Sequence, residues 1–253
     1  MVALVAAFAI AVVTTPAGVS GAVLLLPYQV RVLGTPGPSV TPTNLLYNVV
    51  ACPGALWRYR RQGQTGGTLT RVLLAGTVPG VIAGSVIRVY VLPGPEVFEL
   101  VIAAVLIPQG AVLALTRVNP ARPGRGPRLP PVAVGLIAAA AGCVGGIYGV
   151  GGGSIVAPVL IGDGRPVAEV APASLASTFV TSVAGVVTFS LLALRHQGVA
   201  PDWVTGIILG VGGLAGGYVG ARIQPRLPES VIRRALGAIA EVVGVLFLVD
   251  GLS

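Results

Sequence analysis

The sequence consists of long apolar runs separated by short polar segments. A bilayer core requires about 20 apolar residues per spanning helix, and several runs without any charged residue approach or exceed this length. These runs cover residues 1–30, 72–87, 100–116, 129–162, 170–194 and 203–221. Only 9% of the residues are charged and the mean hydropathy is +0.91, which is far from the balance of a soluble domain. The pattern predicts an all-α integral membrane protein.

The basic residues flank the apolar runs. All sixteen are Arg, the net charge is +8, and no separate soluble domain exists in the sequence to present them to nucleic acid. The first run has no basic residue before it and continues well past a signal-peptide core, so it is interpreted as a retained segment. We therefore predict a multi-pass protein of the cytoplasmic membrane, with the lipid bilayer and no nucleic acid as partner; homo-oligomers are left open.

Several kinds of chemistry are disfavoured by what the sequence lacks. Without Lys, the phosphate-binding loop GxxxxGK[ST] cannot be built. Cys52 and Cys143 stand apart, without a CxxC motif or a neighbouring His, and indicate neither a metal site nor a disulfide. Paired carboxylates, His clusters and nucleophile motifs are absent from the apolar runs. We expect no cofactor, no metal and no catalytic residues, although an intramembrane enzyme and a non-transporting scaffold or accessory subunit stay as alternatives.

The chain contains an internal repeat. GVSGAVLLLP at 18–27 matches GVGGGSIVAP at 149–158, with Gly, Val, Gly and Pro in register. The sequence divides into a first transmembrane repeat (1–118), a basic cytoplasmic linker (119–128) and a second transmembrane repeat (129–253). In each repeat the pattern predicts a long first apolar segment followed by three helices. The first segments are 2–33 and 129–162, and the helices lie near 40–57, 72–91, 97–116, 170–194, 203–221 and 231–250.

The distribution of Arg depends on how the two first segments lie in the membrane. If every segment crosses once, nine Arg lie on one side and seven on the other. If each first segment instead enters and returns on its own side, thirteen are cytoplasmic and only Arg31, Arg88 and Arg195 are outside. The positive-inside rule favours this re-entrant topology, which makes the two repeats inverted, a plan common in secondary transporters. One long tilted helix for each first segment is the alternative.

The glycines of the two first segments indicate a possible binding site. Irregular backbone at membrane depth requires burial in protein or contact with water. After Gly153 the chain can restart as a short helix from Ser154 to Leu160, whose first amides are free and whose dipole is positive there. A second such helix end, at Ser20, would approach from the other side, and the pair would bind an anion. The alternative is that small residues only permit close helix packing.

The motif GVGGGSIVAP, repeated in degenerate form as GVSGAVLLLP, resembles the sulfite exporter TauE/SafE family of membrane permeases. The resemblance implies secondary transport of small, often sulfur-containing anions such as sulfite or organosulfonates. The family's Gly-rich signature corresponds to Gly149, Gly151, Gly152, Gly153 and Pro158. The first repeat departs from it, because Ser20 and Ala22 stand opposite Gly151 and Gly153.

Other polar residues within the spans extend the candidate site. Asn44 and Asn48 share one helix face, and Ser174 and Thr178 occupy similar positions in the second repeat. Such residues line an anion path or form interhelical hydrogen bonds. The candidate substrate-binding residues are Gly18, Ser20, Gly21, Asn44, Tyr47, Asn48, Gly149, Gly151, Gly152, Gly153, Ser154, Ser174, Ser177 and Thr178.

The remaining ionisable residues of the spans have separate interpretations. Glu241 lies deep in an apolar run and is the candidate for coupling to protons, with a structural role as the alternative. Arg88 and Arg222 occupy matching span ends, where interfacial snorkelling is the simpler interpretation. His196 is interpreted as a solvated loop residue.

Overall fold

The computed structural model describes most of the chain as helix. The described residues are 1–91 without 36, 65 and 66; 107; 129–228; and 230–232, 234, 235, 237, 238, 241, 245 and 248. The helices are α1 Val2–Thr14, α2 Ala22–Arg31, α3 Gly37–Arg61, α4 Gly67–Tyr90, α5 Pro131–Tyr148, α6 Gly152–Gly162, α7 Val167–Ala193 and α8 Trp203–Ile223. The helix predicted over 97–116, apart from residue 107, and most of the one over 231–250 lie outside the described residues.

Four of the described helices are long and apolar enough to cross a membrane. They are α4, α5, α7 and α8, the last extended to Arg226 by a short 3-10 turn. Helix α3 has 25 residues and carries three Arg in its last turn, whereas α1, α2 and α6 are shorter. The prediction of an all-α multi-pass membrane protein is confirmed for the described part of the chain.

Both first segments are interrupted at their glycines. After α1, a 3-10 turn over Thr15–Ala17 ends at Gly18 with a φ of 76°. After α5, Gly149 and Gly151 have φ values of 78° and 76°, a left-handed region that residues with a side chain rarely adopt. The predicted breaks are therefore present, and the helices restart at Ala22 and Gly152.

A row of glycines joins α4 to α5. A Cβ atom added to any of these glycines would overlap a backbone carbonyl of α5, so the two backbones touch directly. The pairs are Gly76 with Gly135, Gly80 with Ala139, and Gly84 with Cys143. Since both residue numbers increase together, α4 and α5 run parallel.

A second row of glycines joins α8 to α1 in the same manner. The pairs are Gly212 with Leu4, Gly216 with Phe8, and Gly220 with Val12, and again each added Cβ atom would overlap a backbone carbonyl. Helices α8 and α1 are therefore parallel. In both rows a helix of one predicted repeat packs against the first helix of the other.

Two further contacts fix the direction of the long helices. Helix α3 runs parallel to α8, with Leu46 against Gly206 and Val50 against Gly210. Helix α4 runs parallel to α7, since Thr77 meets Ser177 and Val81 meets Gly185. Asp202 caps the N-terminus of α8, and its pKa is lowered by hydrogen bonds from the Thr205 hydroxyl and amide.

The two ends of segment 129–162, the first apolar segment of the second predicted repeat, lie side by side. The backbone amide of Leu129, just before α5, donates to both carboxylate oxygens of Asp163, just after α6, at 3.1 Å. The chain between these two residues includes α5, the glycine break and α6. The segment therefore ends next to where it begins.

Candidate functional site

The two helix breaks meet in the interior. The Ser20 amide, at the first break, donates to Ser154 Oγ in the first turn of α6 at 2.9 Å. Ser154 Oγ lies 3.1 Å from Thr178 Oγ1 of α7, and all three residues are buried. Asn48 and Thr178 lie near the middle of their helices. We call Ser20, Asn48, Ser154 and Thr178 the break cluster.

Asn48 connects the two breaks through its carboxamide. Its Oδ1 accepts a hydrogen bond from the Ser20 hydroxyl. Its Nδ2 donates to the carbonyls of Gly149 and Val150 at 3.4 and 3.3 Å. One side chain of α3 thus contacts both breaks, and it is fully buried.

Asn44, one turn before Asn48, holds α2 in place. It donates from Nδ2 to the Ala22 carbonyl at 2.9 Å and accepts from Gln29 Nε2 at 2.8 Å. Gln29 is fully buried and was missed by the sequence analysis. A lone Gln within the first charge-free run was the available signal.

Ser177 belongs to a neighbouring contact between helices. Its hydroxyl lies 2.9 Å from Thr77 Oγ1 of α4, and its carbonyl accepts from Thr181 Oγ1 at 2.8 Å. Thr77 is fully buried and was also missed, because its neighbours in sequence are apolar and its partner lies on another helix.

The starts of α2 and α6 differ in how their amides are used. In α2, whose N-cap is Gly21, the Ala22 amide donates to Ser20 Oγ at 3.1 Å, so a side chain satisfies one of the first amides of the helix. In α6 the corresponding position is Gly151, and no side chain caps the helix. Within the described residues the amides of Gly152 and Gly153 have no hydrogen-bond acceptor, as expected for uncapped first-turn amides.

Two buried serines of α7 lie beside the open start of α6. Ser174 and Ser182 are fully buried, and within the described part of the chain their hydroxyls have no hydrogen-bond partner. Ser182 Oγ would lie 3.3 Å from a Cβ atom added to Gly151, and a Cβ atom added to Gly153 would overlap the Ser174 carbonyl. Ser182 was missed by the sequence analysis.

The candidate residues Tyr47, Gly18 and Gly21 lie in packing contacts between helices. Tyr47 lies in an apolar cluster with Leu25 and Leu209, not in the break cluster. A Cβ atom added to Gly21 would overlap the Tyr47 hydroxyl, and one added to Gly18 would overlap the backbone of Ala171. These glycines allow backbone to approach other helices.

The ionisable residues of the spans and the loop differ in how far they are buried. Arg88 is only 3% exposed, so the interpretation as a snorkelling side chain is wrong for this residue; Arg222 is exposed. His196 is half-buried and its ring contacts that of Tyr90 edge to face, with centroids 4.9 Å apart. Glu241 is helical and half-buried. Among the described residues, no group of His, Cys, Asp and Glu side chains could hold a metal ion.

Broken helices whose ends meet at a buried polar centre are a feature of many secondary transporters. The family model "Sulfite exporter TauE/SafE" matches residues 3–247, and the chain belongs to this family. The resemblance predicted from the glycine motif is therefore confirmed. Comparisons with curated proteins and with solved structures gave no match. Family membership makes the protein a membrane transporter of the sulfite-exporter type.

Proposed function

We propose that the protein moves small anions across the cytoplasmic membrane by alternating access, with sulfite and organosulfonates as the first candidates. The observation that carries the proposal is the contact between the two helix breaks, where the Ser20 amide meets Ser154 Oγ near the middle of the long helices. A transporter requires a site at this depth that can be reached from each side in turn.

The chemistry around the start of α6 favours a negatively charged substrate. The uncapped amides of Gly152 and Gly153 carry the positive end of the helix dipole. The Ser182 hydroxyl, which would lie 3.3 Å from a Cβ atom added to Gly151 and has no hydrogen-bond partner among the described residues, supplies a further donor from α7. The first repeat contributes less, because the Ser20 hydroxyl already accepts a hydrogen bond from the Ala22 amide at the start of α2. We therefore assign the main anion-binding surface to the second repeat.

The re-entrant, inverted arrangement is part of the proposal. It is supported by the hydrogen bonds between Leu129 and Asp163, which join the two ends of segment 129–162. It is also supported by the parallel direction of α4 and α7, since single crossings throughout would make these two helices antiparallel.

This topology predicts which loops are cytoplasmic. Single cysteines at Gln64 and Pro228, with Cys52 and Cys143 replaced by Ala, should react with a membrane-impermeant maleimide only after the cells are permeabilised. A cysteine at Gln197 should react in intact cells and serves as the control for access. Reaction of only one of Gln64→Cys and Pro228→Cys in intact cells would establish single crossings instead.

The transport activity is tested in proteoliposomes. Vesicles containing the protein should release sulfite or a small organosulfonate faster than protein-free vesicles, with sulfate and small carboxylates as the comparison panel. An intramembrane enzyme or a non-transporting scaffold would give no flux of any of these anions.

The same assay at mildly acidic and mildly alkaline pH tests whether Glu241 couples transport to protons. Proton coupling through this residue requires a pH dependence of the flux that Glu241→Gln abolishes.

A further inference from the structure

The Ser154 hydroxyl lies between the first break and α7. Its oxygen accepts the hydrogen bond of the Ser20 amide at 2.9 Å and lies 3.1 Å from Thr178 Oγ1. Only 1% of Ser154 is exposed. Ser20 precedes α2 and lies outside any helix, so its amide has no partner within its own helix and needs one elsewhere. A side chain of the second predicted repeat supplies that partner.

Thr178, the other partner of Ser154, lies across the start of α6. A Cβ atom added to Gly151 would lie 2.7 Å from Thr178 Cγ2, and one added to Gly153 would lie 2.8 Å from Thr178 Oγ1. The uncapped amides at this helix start belong to Gly152 and Gly153. The contact between Ser154 and Thr178 is therefore adjacent to the amides that the proposed function assigns to the anion.

Helices α4 and α5 also pack closely around the start of α6. A Cβ atom added to Gly152 would lie 2.8 Å both from Gly142 Cα of α5 and from Thr77 Cγ2 of α4. Close packing of this kind yields to a ligand only when whole helices move. The hydrogen bond between Ser20 and Ser154, in contrast, yields by a change of partner.

Asn48 joins the two breaks independently of Ser154. Its Oδ1 accepts from the Ser20 hydroxyl, and its Nδ2 donates to the carbonyls of Gly149 and Val150. The alignment of the two breaks therefore does not depend on the Ser154 hydroxyl alone, and this hydroxyl can exchange its partner while Asn48 still contacts both breaks.

An oxyanion is a better acceptor for the Ser20 amide than a serine hydroxyl is. Hydrogen bonds to an ionised acceptor are about twice as strong as those between neutral groups. Ser154 Oγ is a single neutral oxygen, whereas sulfite and sulfonates carry several oxygens that share negative charge. One oxygen of such an anion can replace Ser154 Oγ, and the others can accept from the amides at the start of α6.

We infer that Ser154 Oγ takes the place of a substrate oxygen in the anion-free protein, and that the anion displaces it from the Ser20 amide when it binds. Ser154 is then a competitor of the substrate and not one of its ligands, which differs from the role that the sequence predicted. It lowers the affinity for the anion and keeps the Ser20 amide satisfied while the site is free. The inference rests on the proposed function.

The test measures sulfite binding to purified Ser154→Ala protein by calorimetry, together with its thermal midpoint without sulfite. Removing the competing oxygen should lower the Kd for sulfite about fivefold, the equivalent of one neutral hydrogen bond. The anion-free variant should unfold at a lower temperature than the wild type, because the Ser20 amide loses its acceptor. A residue that only supports the fold, or that binds the anion, would not combine lower stability with higher affinity.

Two further variants accompany this measurement. Ser154→Cys keeps the shape of the side chain but offers sulfur, a weak acceptor, and its Kd should lie between those of the wild type and Ser154→Ala. Ser85→Ala is the matched control. Ser85 is also fully buried, but its hydroxyl donates to the Val81 carbonyl of its own helix at 2.8 Å, so the Kd for sulfite should stay unchanged.

The outcomes separate this inference from the proposed function. Folded Ser154→Ala and Ser154→Cys proteins that bind sulfite no more tightly than the wild type would overturn the inference, while flux in wild-type proteoliposomes would still establish transport. The expected order of Kd values without any flux would overturn only the transport function. Absence of both binding and flux in the wild type would overturn both.

Discussion

Replacing Gly80 by Leu is expected to leave little correctly folded protein. Gly80 lies in the row of glycines that joins α4 to α5, and a Cβ atom there would overlap the Ala139 carbonyl. Overpacking a well-packed core costs about 1–3 kcal/mol, and here the obstacle is backbone, which cannot rotate away. We therefore expect a loss of more than about 3 kcal/mol, measured as the fraction of monodisperse protein and its thermal midpoint in detergent.

Gly135→Leu is the matched control for this substitution. Gly135 belongs to the helix packed against α4, yet a Cβ atom added to it meets no atom within 4 Å. The gain in helix propensity, about 1 kcal/mol for replacing Gly, is shared by both variants. Equal stability of the Gly80 and Gly135 variants would refute direct backbone packing between α4 and α5.

Asn48→Asp is expected to lower anion transport strongly at neutral pH in the protein that folds. The carboxylate keeps the acceptor for the Ser20 hydroxyl, while its second oxygen faces the Gly149 and Val150 carbonyls, to which Asn48 donates. A negative charge about 5 Å from an anion costs about 3 kcal/mol at an effective dielectric constant of about 20. This corresponds to a decrease of about a hundredfold in kcat/KM, measured as flux in proteoliposomes.

Thr68→Asp controls for the added charge alone. Thr68 is exposed at the start of α4, far along the helix from Thr77 and the centre of the molecule, so its flux should match that of the wild type. Folded Asn48→Asp protein with wild-type kcat/KM would place the anion path elsewhere.

The glycine breaks could be predicted from the sequence because their cause is local. A backbone with positive φ at Gly149 and Gly151 requires residues without a side chain, and three consecutive glycines in an apolar run leave few other interpretations. The polar residues Asn44, Asn48 and Thr178 were found for a similar reason: a polar side chain within a span requires a partner.

The partners themselves could not be predicted, because distant parts of the chain supply them. Gln29, Thr77 and Ser182 are ordinary polar residues until folding places them beside Asn44, Ser177 and Gly151. The same applies to Arg88, since nothing in the sequence distinguishes it from the exposed Arg222.

The register between the repeats was also beyond the sequence. Placing Arg88 and Arg222 at matching span ends sets an offset of 134 residues between the predicted repeats, whereas the corresponding glycine contacts pair Gly80 with Gly216 and Gly84 with Gly220. The two registers differ by two residues. Helices rich in Gly, Ala and Val offer several alignments of similar quality, and only the contacts across the interface distinguish them.

The exchange of first helices between the two halves has a consequence for biosynthesis. Helix α1 emerges from the ribosome first, but its partner α8 ends only at Ile223. Helix α4 likewise waits for α5, which follows the linker. Among the described residues, α5 covers the glycine-lined face of α4 and α1 covers that of α8, so we expect the newly made chain to stay incompletely packed in the membrane until α8 has been inserted.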